Sequence, residues 1–97
     1  MTSVKLLWTP EAEQDRDSIW EFIAASSPAA AARMDQLFTE AIQRLQEFPM
    51  LGQAGRIPGT REWIPHDSYR VLYEIDEDEE ILWILALVHT ARRWPPV

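Results

Sequence analysis

Ala30, Met34, Leu37, Phe38, Ala41, Ile42, Leu45 and Phe48 recur at intervals of three and four. At 3.6 residues per turn this spacing draws a single apolar stripe along a helix, and a stripe that long needs a second layer to cover it. Ser27 supplies a hydroxyl cap just before it, Pro28 fits the first helical turn, and Pro49 ends it. The same start signal occurs upstream, where Thr9 and Pro10 precede Glu11, Glu13, Asp15 and Asp17, acids that suit the positive end of a helix dipole. A first helix is therefore expected from Pro10. Ala12, Ile19, Phe22 and Ile23 fall on one side of it and Glu13, Gln14, Asp17 and Glu21 on the other, until Ser26-Ser27-Pro28 breaks the pattern. So short a joint implies an antiparallel helical hairpin.

The rest of the chain reads as sheet. Val4 to Trp8 is a short apolar strand before the first helix. Pro49 to Gly59 holds all three glycines and two prolines, so it is expected to be a loop. Thr60 to Pro65, Ser68 to Asp76 and Ile81 to His89 follow as three strands. In the second of these, alternation separates Tyr69, Val71, Tyr73 and Ile75 from Arg70, Leu72 and Glu74, which predicts one core face and one partly solvated face. Ile81 to Val88 lacks alternation and is expected to be central and covered on both sides. The acidic run Asp76 to Glu80 joins the last two strands and reads as a solubilising turn. The expected fold is α+β over one domain, 1–97: an N-terminal strand and a helical hairpin packed on one face of a four-stranded antiparallel sheet.

Composition removes several function classes. With 97 residues there is room for one two-layer core and none for an enclosed cofactor chamber. No apolar run approaches the length of a membrane span, and Leu6-Leu7-Trp8 is too short for a signal peptide, so a cytoplasmic protein is expected. Cysteine is absent and there are two histidines, which leaves no basis for a metal site or a cofactor. Nine basic residues against sixteen acidic ones give a net charge of −7, unfavourable for general nucleic-acid binding. Five arginines, Arg56, Arg61, Arg70, Arg92 and Arg93, nevertheless lie in the second half, where a local basic surface can form away from the acidic turn.

Several short motifs follow one another along the chain: Trp8-Thr9-Pro10-Glu11-Ala12, Leu45-Gln46-Glu47-Phe48-Pro49-Met50-Leu51-Gly52, Gly59-Thr60-Arg61-Glu62, Tyr69-Arg70-Val71-Leu72-Tyr73 and Val88-His89-Thr90-Ala91-Arg92-Arg93-Trp94-Pro95. Together with the element order they resemble the RelE/ParE superfamily of toxins from type II toxin–antitoxin systems. The resemblance implies one of two activities. RelE-like members cut mRNA on the ribosome, which needs a base, an acid and cations around the phosphate. ParE-like members poison DNA gyrase and need a complementary protein surface. Arg70 and Arg93 match positions where RelE-like toxins place phosphate-contacting arginines, and His89 is a conceivable acid or base. Against a nuclease, no tyrosine follows the last strand, Lys5 is the only lysine, and the charge is −7.

The resemblance therefore favours a ParE-like gyrase inhibitor that is neutralised by a cognate antitoxin and touches DNA only through that antitoxin. A ribosome-dependent mRNA interferase and a degenerate, non-toxic binding module are the alternatives. Arg61, Arg70, Arg92, Arg93 and Trp94 form the expected functional surface, and Ile19, Phe22, Met34, Leu37 and Arg56 the expected antitoxin surface. Ordinary structural roles compete at several of these positions. Arg61 can pair with Glu62 or Glu74, Arg70 can form a cross-strand ion pair, His89 can be a hydrogen-bonded structural residue, and Trp94 can pack back onto the fold.

Overall fold

The protein is described here by a computed structural model covering residues 4–95. The elements run β1 (Lys5–Trp8), α1 (Pro10–Ala24), α2 (Pro28–Glu47), β2 (Gln53–Ala54), β3 (Arg61–His66), β4 (Tyr69–Asp76) and β5 (Ile81–His89). Both helices start where the cap-plus-proline signals stand. The Thr9 and Ser27 hydroxyls accept the N–H groups of Ala12 and Ala30, each at 3.1 Å. The Thr9 hydroxyl also lies 3.1 and 3.2 Å from the carbonyl oxygens of Ile84 and Leu85, so the residue that caps α1 ties it to β5. Arg16 on α1 bonds the Asp35 carboxylate at 2.6 Å and the Thr39 hydroxyl at 2.7 Å, joining the two helices of the hairpin.

The strands form one sheet in the order β1-β5-β4-β3-β2. One face is covered by the helices. Phe38, Ile42 and Leu45 of α2 pack there with Tyr69, Val71 and Tyr73 of β4 and Leu82, Ile84 and Leu87 of β5. β5 is central, as its lack of alternation predicts, lying between β1 and β4, but it is not fully covered on both sides: Leu82 and Ile84 are buried under the helices while Ile81 and Trp83 beside them are only half-buried. Register slips by one residue between Leu72 and Tyr73, leaving Leu85 as the extra residue of a bulge in β5. Phe22 departs from its expected place on the covered side of α1, since it is 78% exposed.

The expected four-stranded antiparallel sheet needs correcting in two respects. There is a fifth strand, the two-residue β2 inside the loop, and β1 pairs with β5 in parallel. β2 runs antiparallel to β3, β3 to β4 and β4 to β5. The sheet is therefore mixed, with β5 paired in parallel to β1 on one side and antiparallel to β4 on the other. Gly59, at φ 84°, lies in the segment between β2 and β3 and supplies backbone that other residues adopt only at a cost.

Tyr73 fixes the start of this loop. Its side chain is fully buried, and its hydroxyl donates to the Pro49 carbonyl at 2.7 Å while accepting the Gly52 N–H at 2.8 Å. A Cβ on Gly52 would stand 2.7 Å from that hydroxyl and 2.8 Å from the Glu62 carbonyl oxygen. Tyr73→Phe should cost about 1–3 kcal/mol, because the buried Gly52 N–H and the part-buried Pro49 carbonyl both lose their partner. Gly52→Ala should cost a similar 1–3 kcal/mol through forced displacement. Denaturant unfolding of both variants checks this; wild-type midpoints would refute the role given to the phenol.

Candidate functional site

The five arginines of the second half divide between the two faces of the sheet and its margins, and most are engaged by the fold itself. Glu62 on β3 and Arg70 on β4 lie on the face away from the helices. Arg70 stands opposite Val88, whereas its neighbours Tyr69 and Val71 point into the core. Glu62 Oε1 is 3.4 Å from Arg70 Nε, with side chains only 12% and 10% exposed respectively. Glu62 Oε2 accepts the Arg56 N–H at 2.8 Å. The Arg56 guanidinium donates to the Trp94 carbonyl at 2.6 Å and so holds the segment after β5 against the loop before β3. Arg61 donates to the carbonyls of Met50 and Gly52, rather than pairing with Glu62 or Glu74. Trp94 is half-buried, with its indole N–H among the buried donors that lack a partner.

A cavity of about 360 Å³ opens on this face, bounded by Leu51, Gln53, Arg56, Glu62, Ile64 and Arg70. Arg70 Nε and Nη1 are buried without a hydrogen-bond acceptor. The one carboxylate lining the cavity, Glu62, balances the charge of Arg70.

His89 belongs to the other face. Val88 is the residue opposite Arg70, so the next residue along β5 points the opposite way. The His89 ring packs edge-on against Tyr69 at 5.3 Å, and Tyr69 in turn packs against Phe38 of α2 at 5.4 Å. His89 Nδ1 accepts the Ala91 N–H at 3.0 Å, closing the turn that leaves β5. Arg70 and His89 therefore lie on opposite faces of the sheet and do not converge on one reacting group. Arg92 and Arg93 follow β5 and are exposed.

Around His89 lies a groove of about 300 Å³ between α1 and the end of β5, lined by Asp15, Ile19, Phe22, Tyr69, His89 and Arg92. Asp15 accepts the Leu87 N–H at 3.0 Å, which β1 is too short to reach. Of the expected antitoxin surface, Ile19 and Phe22 meet here. Met34 and Leu37 are half-buried against the core, and Arg56 lies across the sheet at the other cavity. The groove residues Asp15 and Tyr69 were not legible as such, because an acid in the first half of a helix and a tyrosine in a strand carry no marker for it. Among the described residues no group of three or more His, Cys, Asp or Glu is placed to hold a metal, and no helix is long and apolar enough to cross a membrane.

A helical hairpin laid on one face of a sheet of this topology is the fold of bacterial toxins. The structure matches a chromosomal ParDE toxin–antitoxin system from P. aeruginosa with a TM-score of 0.77 at 21% identity, over 90% of this chain and 96% of the other. The isolated RelE toxin of E. coli matches with a TM-score of 0.68 at 10% identity, over 95% and 89% of the two chains. At those identities the likeness is one of fold. In sequence, the model of the ParE toxin of the type II toxin–antitoxin system parDE matches residues 6–94. Y4kP, a candidate toxin of Sinorhizobium fredii, is 36% identical over 98 residues, covering 100% of this chain and 99% of the relative. The chain belongs to the ParE toxin family of type II toxin–antitoxin systems.

Burial pushes the Tyr69 phenol above its ordinary pKa. The neutral form is thus favoured in the fold, and its contribution is complete below about pH 10, where the unfolded phenol titrates. Stability should fall as pH rises through the folded value, and Tyr69→Phe should remove that part of the alkaline decline. Identical alkaline stability profiles for the two proteins would contradict the assignment.

Proposed function

We propose that this chain is a ParE-like toxin that acts by binding and inhibiting DNA gyrase in the cytoplasm, and that a cognate antitoxin neutralises it. The observation that carries this reading is the separation of Arg70 from His89. RNA cleavage requires an acid or base and a phosphate-stabilising cation within reach of one phosphate; of the expected set Arg70, His89 and Arg93, Arg70 stands on the face opposite His89, and the cation that shares the His89 groove is Arg92. A protein-binding toxin has no such requirement. Membership of the ParE family supports the same branch.

The antitoxin docks most naturally along α1. Phe22 is 78% exposed and Trp20 is 40% exposed, and both lie on a helix whose other exposed positions are largely acidic. An antitoxin segment that inserts apolar groups beside Ile19 and Phe22 and places its acids toward Arg92 fits the groove at the end of β5. Because the anchors are apolar, affinity should depend weakly on salt. Phe22→Ala should weaken antitoxin binding about tenfold or more while leaving the melting temperature near that of wild type, since the side chain contributes little to the core. Unchanged affinity would remove α1 from the interface.

The decisive experiment is a pair of purified assays. Inducing the chain alone should arrest growth, and co-expressing the neighbouring antitoxin should restore it. The purified protein should reduce gyrase supercoiling and leave mRNA on ribosomes intact. His89→Gln should retain toxicity. Cleavage of ribosome-bound mRNA with no effect on gyrase would instead establish the interferase reading, and growth unimpeded by soluble, folded protein would leave a non-toxic binding module.

A further inference from the structure

The face of the sheet opposite the helices carries a buried cation, two of whose donors have no hydrogen-bond acceptor. Arg70 is 8% exposed, and its Nε and Nη1 have no acceptor. Buried donors of a charged group are rarely left in that condition, and a guanidinium offers them in a fork suited to carboxylate or phosphate oxygens. Lining a cavity of about 360 Å³, Arg70 has the chemistry of an anion receptor.

The anion already beside it is internal. Glu62 Oε1 lies 3.4 Å from Arg70 Nε, near enough to balance the charge, while its other oxygen is held by the Arg56 N–H at 2.8 Å. That second bond anchors the carboxylate, so swinging it aside would leave the Arg56 N–H without its partner. At 12% exposure the Glu62 charge is also weakly screened by water. A phosphate entering the cavity beside Arg70 would have to settle next to a negative charge.

We propose that Glu62 is the specificity-determining residue of this face: a built-in carboxylate that neutralises Arg70 and closes the cavity to phosphate groups, including those of a nucleic-acid backbone. This deepens the reading of the chain as a toxin that acts by binding protein and rests on it for its cellular meaning, whereas the chemistry stands on the geometry alone.

Glu62→Gln tests it, because the amide oxygen can still accept the Arg56 N–H while the charge is gone. Inorganic phosphate and a short oligoribonucleotide are titrated into wild type and variant, and binding is read from the NMR signals of Arg56 and Arg70. The variant should bind both probes on the order of tenfold or more tightly than wild type, since the like charge has been removed. Oligoribonucleotide binding should weaken steeply with salt, and Glu62→Gln combined with Arg70→Met should lose the gain. Equal affinity of wild type and folded Glu62→Gln overturns the proposal, and so does a gain that survives Arg70→Met. Glu62→Ala, checked by circular dichroism, carries the same expectation should the glutamine variant fold poorly. Gyrase inhibition is measured beside it: a wild type inert toward gyrase defeats the proposed function and leaves the phosphate comparison intact, whereas equal phosphate affinities defeat only this inference.

Discussion

The hydroxyl of Tyr73 holds together parts of the molecule that the sheet alone does not connect. It is a polar atom at the bottom of the core, and it is tolerable there because the backbone of Pro49 and Gly52 supplies both of its partners. With those residues pinned, the chain leaving α2 turns beside the sheet, and Arg61 meets the carbonyls of Met50 and Gly52. β2 then forms against β3, and the segment that includes Arg56 comes within reach of Glu62. The cavity beside Arg70 thus follows from a phenol on the other side of the same strand.

Much of the fold was legible because the signals were local. Thr9-Pro10 and Ser27-Pro28 each carry a cap and a preset φ, and both helices begin there. The alternation in β4 placed Tyr69, Val71 and Tyr73 inward, and all three are buried, but Arg70 and Leu72 on the face expected to be partly solvated are buried as well and only Glu74 of that set is exposed. The two-residue β2, Gln53–Ala54, was not legible, having neither apolar alternation nor β-branched residues to mark it. The parallel sense of β1 was not legible either, because apolar patterning marks a strand without giving its direction relative to a strand more than seventy residues away. Phe22 misled for a related reason: helical spacing gives an angle on a wheel and says nothing of where the covering layer ends.

The candidate site was legible as a set of residues and not as an arrangement. Arginines can be counted in a sequence, but whether a guanidinium meets solvent or a carbonyl depends on loops whose paths are not written in periodicity. Arg56 and Arg61 turned out to fasten loops, and Arg70 to sit beside an acid one strand away. The opposition of Arg70 and His89, by contrast, follows from strand pairing. Once Arg70 is placed across from Val88, His89 must point to the other face.

β1 spans only the first half of β5, and α1 takes over where it stops, with the Asp15 carboxylate receiving the Leu87 N–H in place of a strand. At the sheet's outer margins stand β1, four residues long and carrying Lys5, and β2, two residues long. Neither presents a row of free backbone groups long enough to template a foreign strand, and the stretch of β5 that would have done so is roofed by a helix. The one longer edge left is that of β3 beyond Glu62, four residues from Trp63 to His66, and there Pro65 lacks the N–H that a foreign strand would need, so copies that accumulate before a neutralising partner arrives find only a short, interrupted seam along which to pair.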